Sequence, residues 1–157
     1  MLEIFKTKQS VFNLNDLGKI LKEKDYNNLK SKISYYVKKW YLQRIRRWIF
    51  VKDDFDVFEL ACKIYSPSYI SFETVLQKEW VIYQYFDTIF VASYLSRSLE
   101  INYKWKKIKI VYRKLKDEIL YDETGIIKKD FYSIASKDRA IKDMKYLKKD
   151  FYFDNLK

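Results

Sequence analysis

From Asn27 to Arg47 the chain presents Asn27, Asn28, Lys30, Ser31, Lys32, Ser34, Tyr35, Lys38, Lys39, Arg44, Arg46 and Arg47, and not one carboxylate. Amides, hydroxyls, ammoniums and guanidiniums are the groups that bond base edges and neutralise phosphates. Arginine sharpens the signal. Only six occur in 157 residues, and Arg44, Arg46 and Arg47 fall within four positions. The planar guanidinium fork bonds phosphate and guanine bidentately. Residues for covalent or metal chemistry are scarce by contrast. His is absent and Cys62 is the single cysteine. That leaves no Cys/His zinc site, no Ser-His-Asp or Cys-His machinery and no 2-His facial triad. Two glycines, Gly18 and Gly125, are too few for a phosphate-cradling loop. Asp53, Asp54 and Asp56 suit a hard cation but read more simply as a linker, and the nuclease pattern Glu-x-Lys does not occur. The expectation is a binding protein rather than an enzyme, with no metal and no cofactor.

The net charge is +11. A chain rich in Lys, Ile, Asn, Tyr and Phe and poor in Gly, Pro and Ala is also what AT-rich coding would give, so the distribution of charge says more than its sum. Residues 1–52 hold 13 Lys/Arg against four acids, and residues 53–96 two against seven. Residues 97–116 hold eight against Glu100 alone, and residues 117–157 nine against nine. A uniform coding bias would not segregate in this way; a domain seated on a polyanion would. The 48% hydrophobic fraction supports a packed core. One cysteine fits a reducing compartment, and the N-terminus lacks a basic-then-apolar signal-peptide layout. The most apolar stretch, Val81 to Leu95, is interrupted by Gln84 and Asp87 and falls short of the ~20 residues a membrane span needs. The reading is a cytoplasmic protein with no membrane contact.

The elements that would position the basic face follow from periodicity. Leu2 to Thr7 reads as a short helix or strand. Asn15 is a plausible N-cap, with Asp16 in the first turn and Leu17, Ile20 and Leu21 at helical spacing. After a polar turn, Asp25 caps a helix whose stripe is Leu29, Ile33, Tyr36, Val37 and Trp40, opposite the polar residues named above. Two helices joined in this way predict a helix-turn-helix. Tyr41–Ile45 and Ile49–Val51 then flank Arg46-Arg47-Trp48 as a hairpin with a basic tip, the wing of a winged helix. Val57 to Ile64 reads as a helix that stops before Pro67, and Ser71 caps a helix over Phe72 to Lys78 with Glu73 in its first turn. Thr88 to Tyr94 and Lys104 to Tyr112 read as strands. Arg97, Lys104, Lys106, Lys107, Lys109 and Arg113 would make the second a basic surface. With Tyr103, Trp105 and Tyr112 available to stack on bases, an RNA-binding module is the alternative. Ser136 caps a last helix with Ala140, Ile141, Met144 and Leu147 as its stripe. The fold class is α+β, a winged helix-turn-helix over 1–54 and a small mixed α/β domain over 55–157, divided at the charge reversal of Asp53-Asp54.

Several of these stretches resemble one family. Val11-Phe-Asn-Leu-Asn-Asp-Leu17, Ile33-Ser-Tyr-Tyr-Val-Lys-Lys39 and Leu42-Gln-Arg-Ile-Arg-Arg47 are similar to the N-terminal winged helix of the abortive-infection type IV antitoxins. Phe58-Glu-Leu-Ala61 with Pro67-Ser-Tyr-Ile-Ser-Phe-Glu-Thr-Val-Leu76 resembles the family's most recognisable block, and Tyr132 to Asp143 its C-terminal block. The matches span about residues 11 to 147. The family tends to carry Gly where this chain has Trp40 and Trp48. The resemblance implies a repressor that binds inverted repeats of double-stranded DNA in its own promoter. It also implies a C-terminal domain that antagonises a co-encoded nucleotidyltransferase toxin without a tight complex, in a toxin–antitoxin system for phage defence. A plain transcriptional regulator without antitoxin activity is the further alternative.

Overall fold

The computed structural model describes residues 2–83 and 87–147. The chain is α+β and divides into two compact units, residues 1–64 and 65–157. The division falls ten residues beyond the expected one at 54, because the helix after the acidic run belongs to the first unit.

In the first unit, α1 (Leu2–Lys6), β1 (Val11–Phe12), α2 (Leu14–Ile20) and α3 (Tyr26–Lys38) precede the hairpin of β2 (Gln43–Arg46) and β3 (Ile49–Val51); α4 (Val57–Ile64) closes it. The sheet order is β1-β3-β2, antiparallel throughout. Ile4, Phe12, Leu17, Leu29, Ile33, Tyr36, Leu42 and Phe50 form the core. The cap of α2 is Asn13, not Asn15. The Asn13 side chain accepts the Asp16 N–H at 2.9 Å and Asp16 accepts the Asn13 N–H at 3.0 Å, a reciprocal capping box. Asn15 is an exposed position inside the helix. Glu59 of α4, 2% exposed, accepts the Ser10 N–H, the Ser10 hydroxyl and the Val11 N–H. This buried carboxylate is what binds α4 to β1.

The second unit holds β4 (Ser68–Ile70), α5 (Phe72–Lys78), β5 (Thr88–Ser93), β6 (Arg97–Tyr103), β7 (Lys106–Lys114), α6 (Asp117–Leu120), β8 (Ile126–Lys128), β9 (Ser133–Ala135) and α7 (Lys137–Tyr146). Its six strands run in the order β6-β7-β5-β4-β9-β8. The β4–β9 and β5–β7 pairs are parallel and the others antiparallel. The strand expected over Lys104 to Tyr112 is β7, which begins at Lys106 and runs to Lys114, and it pairs in a hairpin with β6, a strand not expected from the sequence. A two-residue turn, Lys104-Trp105, separates Tyr103 from its partner Lys106. That turn lacks the Gly, Asn or Asp that usually announces one.

Polar side chains expected at the surface are inside. Arg113 forms a bidentate pair with Glu73, its Nη2 2.7 Å from Oε1, and its guanidinium lies 4.2 Å from the Phe90 ring centroid. It is therefore no part of a basic surface, and Glu73 serves this pair rather than a solvated first turn. Ser71 makes no side-chain cap; its hydroxyl donates to Asp143 at 2.7 Å. The buried face of α7 carries Ala140 and Met144 as expected, but Arg139 and Asp143 share it, while Ile141 and Leu147 are half-buried. Among the described residues no helix is long and apolar enough to cross a membrane.

Tyr69 completes this network, donating to Asp143 at 3.0 Å and accepting from Arg139 at 2.9 Å. Burial pushes its phenol well above the ordinary value of 10.0, and the Asp143 carboxylate adds to the shift. A raised folded value means that the contribution is complete below the unfolded value and is lost as pH rises toward the folded one. The urea midpoint should therefore fall as pH is taken from about 9 to about 11. In Tyr69→Phe the starting stability should be lower by about 1–2 kcal/mol, but the alkaline fall should be shallower; an identical slope would remove Tyr69 as its cause.

Candidate nucleic-acid interface

The basic face is built on α3. Asp25 caps it, its Oδ1 accepting the Asn28 N–H at 2.8 Å, and no acid stands in the first turn. Leu29, Ile33 and Tyr36 are buried in the first unit's core, and Val37 is half-buried. Asn27, Asn28, Ser31, Lys32, Ser34, Tyr35, Lys38 and Lys39 are all exposed on the other side. The Ser31 hydroxyl donates to the Asn27 carbonyl at 3.0 Å, which leaves its lone pairs outward as acceptors.

Two expectations for this helix fail. Trp40 is not in the buried stripe; it is 79% exposed. Its N–H reaches the Val37 carbonyl, the Tyr41 N–H reaches the Tyr36 carbonyl, and its φ is +60°. That is a Schellman motif with Trp40 at the left-handed position, so the chain turns away before Trp40 can extend the stripe. Nor is the face free of carboxylate. Glu23, from the turn before α3, takes the Lys32 ammonium at 2.7 Å. This hydrogen bond raises the Lys32 pKa and lowers that of Glu23.

The arginines stand on the β2–β3 hairpin. A bulge between Arg44 and Arg46 breaks the strand alternation, so Ile45 and Arg46 are both half-buried while Arg44 and Arg47 are exposed. Of the three arginines predicted to reach a partner, two are fully presented. Both lie against one ring. The Arg44 and Arg47 guanidiniums are 5.9 and 5.8 Å from the Trp48 ring centroid, and the Lys30 ammonium is 5.5 Å away. Tyr26 packs on the same indole with ring centroids 6.4 Å apart, and Lys30 lies 4.1 Å above the Tyr26 ring. Trp48, with φ +64°, occupies the turn and also packs on the first unit's core. The indole therefore joins the start of α3 to the hairpin tip and gathers three cations around it, each worth about 0.5–1 kcal/mol at such sites. Neither Tyr26 nor Trp48 was singled out as a site residue from the sequence. The Tyr26/Lys30 spacing of i, i+4 was the available signal.

In the second unit, Arg97 is exposed and donates to the Tyr65 hydroxyl at 3.0 Å. Lys104, Lys106, Lys107 and Lys109 are exposed on the β6–β7 hairpin, with Glu100 3.1 Å from Lys107 and 3.8 Å from Lys109. Tyr103 and Tyr112 are only 8% and 1% exposed, so of the three aromatics expected to stack on bases only Trp105, at 87%, is presented. Cys62 is buried in α4 as a small apolar residue.

No family model matches the chain, and no curated protein matches it either.

Trp40 and Trp48 both hold φ > 0 but differ in what the ring does. A left-handed non-glycine residue costs roughly 1–2 kcal/mol, and glycine's extra unfolded-state entropy offsets roughly 0.5–1 of it. Trp40→Gly should therefore raise stability by up to about 1 kcal/mol. Trp48→Gly should lower it by about 1–2 kcal/mol, through the lost cation–π and core contacts. Urea unfolding of the two variants checks the pair; a rise for both would mean that the Trp48 cluster contributes nothing.

Proposed function

We propose that the first unit is a winged helix-turn-helix that binds duplex DNA, and that the protein is a transcriptional repressor acting on its own promoter. In this reading α2 and α3 are the helix-turn-helix, α3 enters the major groove, and the β2–β3 hairpin is the wing. The topology supports it: the order α1-β1-α2-α3-β2-β3, with the three strands in one antiparallel sheet and Arg47-Trp48 as the turn between β2 and β3, is compatible with that motif. The observation that carries it is the Trp48 cluster, which presents Arg44 and Arg47 beside the first turn of α3. Asn27, Asn28, Ser31 and Tyr35 are then the base-edge candidates. Lys30, Lys38, Lys39, Arg44 and Arg47 are the phosphate ligands. Inverted repeats would take two copies, one per half-site.

The second unit is read as an antitoxin module that antagonises a nucleotidyltransferase toxin. Its support is the resemblance of the Pro67–Leu76 and Tyr132–Asp143 stretches to abortive-infection antitoxins, together with their meeting in one network. Tyr69 and Ser71 of the first stretch bond Arg139 and Asp143 of the second. The side chains in that network hold the fold, and none is assigned a catalytic role.

Salt-titrated binding to the DNA upstream of the coding sequence tests the first reading. Arg44→Ala/Arg47→Ala should weaken binding, and the slope of log K against log salt should become shallower by about 2. An unchanged slope overturns the wing assignment. Glu23→Gln should act in the opposite sense, tightening binding several-fold at low salt and steepening the slope by about 1 as Lys32 is released. Weaker binding by this variant would show that Glu23 positions Lys32 rather than restrains it.

A further inference from the structure

We propose that the tip of the β6–β7 hairpin is a second nucleic-acid contact, selective for single strands, in which Trp105 stacks on an unpaired base and Lys104 and Lys106 hold the flanking phosphates. It lies in the second unit and does not rest on the duplex-binding reading of the first.

Trp105 is the most exposed large apolar side chain among the described residues, at 87%. Nothing in the local structure calls for it. Turn chemistry does not, because a two-residue hairpin turn favours Asn-Gly or Gly-led pairs, whereas this one forces Lys104 to φ +52°. Core packing does not, because the indole is outside. The neighbouring aromatic, Tyr103, faces inward at 8%, as strand alternation requires.

The charge around the indole is one-sided. Tyr103-Lys-Trp-Lys-Lys107 carries three ammoniums and no carboxylate. The nearest acid on the hairpin, Glu100, stands opposite Lys109 and pairs with Lys107 at 3.1 Å, while Lys104 and Lys106 flank the indole at the turn itself. The lysines of β7 have an ordinary role as a solvated face, and β6, the outer strand of the sheet, carries Arg97 and Glu100, charges that discourage edge-to-edge pairing. That role gives no reason for a bare tryptophan in their midst.

An apolar π-face ringed by cations is complementary to a polyanion with accessible aromatic faces. In a duplex the base faces are covered by their neighbours, whereas in a single strand they are open, and base–aromatic stacking then adds to phosphate neutralisation without regard to sequence. An anionic membrane surface is less well matched. Insertion at an interface gains from several apolar side chains, and the tip offers one.

The test is fluorescence anisotropy of the full chain with a labelled 12-nucleotide single-stranded RNA, the same sequence as single-stranded DNA, and a duplex of the upstream DNA. Trp105→Ala should weaken single-strand binding about tenfold and leave the duplex affinity unchanged. Trp105→Phe should recover part of the loss. Lys104→Glu/Lys106→Glu should weaken single-strand binding further and flatten its salt dependence. Arg44→Ala/Arg47→Ala should leave single-strand binding intact, which separates failure of this site from failure of the wing. Comparison of the RNA and DNA strands shows which sugar the site accepts. Single-strand affinity unmoved by Trp105→Ala overturns the proposal. So does an equal loss on the duplex, or a loss confined to phosphatidylserine-containing vesicles. Because Trp105 is exposed, its variants should melt as the parent does; a melting shift alongside lost binding would assign the residue to the fold and also overturn the proposal.

Discussion

The basic face of the first unit depends on one buried carboxylate. The hairpin that carries Arg44 and Arg47 is joined to the rest through β3, whose other neighbour is β1, a strand of two residues. A strand that short has too few ladder bonds to fix its own register. Glu59 supplies the missing constraint. Its oxygens take the Ser10 N–H at 3.1 Å, the Ser10 hydroxyl at 2.5 Å and the Val11 N–H at 3.0 Å, at a site closed to solvent. The Ser10 hydroxyl oxygen in turn accepts the Asp56 N–H at 2.9 Å, which ties down the entry to α4. Each of those donors would cost about 1–3 kcal/mol if left without a partner. The helix that carries Glu59 thus belongs to the first unit by physics, although the charge pattern places it with the acidic segment.

The second unit is organised the same way around Arg139 and Asp143. All five guanidinium N–H groups of Arg139 are used: Nε on Asp143, Nη1 on the Asp122 and Thr124 carbonyls, and Nη2 on the Ile119 carbonyl and the Tyr69 hydroxyl. A buried charge is tolerated only with that degree of satisfaction. The geometry needs Gly125, where φ is +75° and a Cβ would meet the Arg139 Cβ at 2.9 Å. It also explains why two stretches some seventy residues apart read as motifs. They hold opposite ends of one hydrogen-bond network, so their polar residues constrain each other.

What was legible in the sequence had a local cause. The helices over Val57–Ile64 and Phe72–Lys78 follow from apolar spacing and the Pro67 stop, and the caps at Asp25 and Ser136 from side chains that bond the first turn. The hairpin over 43–51 follows from β-prone runs around a basic turn. What was illegible had a distant cause. Glu73 and Ser71 sit where a first-turn acid and a cap belong, yet they answer to Arg113 and Asp143, which lie far away in the chain. Strands of two or three residues such as β1, β4, β8 and β9 have no periodicity to read. The Lys32–Glu23 and Lys107–Glu100 pairs depend on turns that bring an acid onto a face whose own sequence lacks one.

The scarcity of glycine links these failures. Helices commonly end on a left-handed residue, and glycine is the usual signal for it. Here α2, α3 and α5 end in the same Schellman pattern on Lys22, Trp40 and Trp80, at φ of +51°, +60° and +57°. A chain with two glycines builds its turns from side chains that cost backbone strain, and those side chains are then presented at the turns themselves. Trp48 shows the consequence most clearly. The position that strains its backbone also places its indole between α3 and the hairpin, where it collects Lys30, Arg44 and Arg47. A composition that reads as coding bias at the level of counts therefore acts on the surface chemistry through geometry. The number of lysines says little, since exposed pairs such as Lys128–Glu123 are worth about 0–1 kcal/mol. The tryptophans in strained or glycine-poor turns determine where the cations beside them are held.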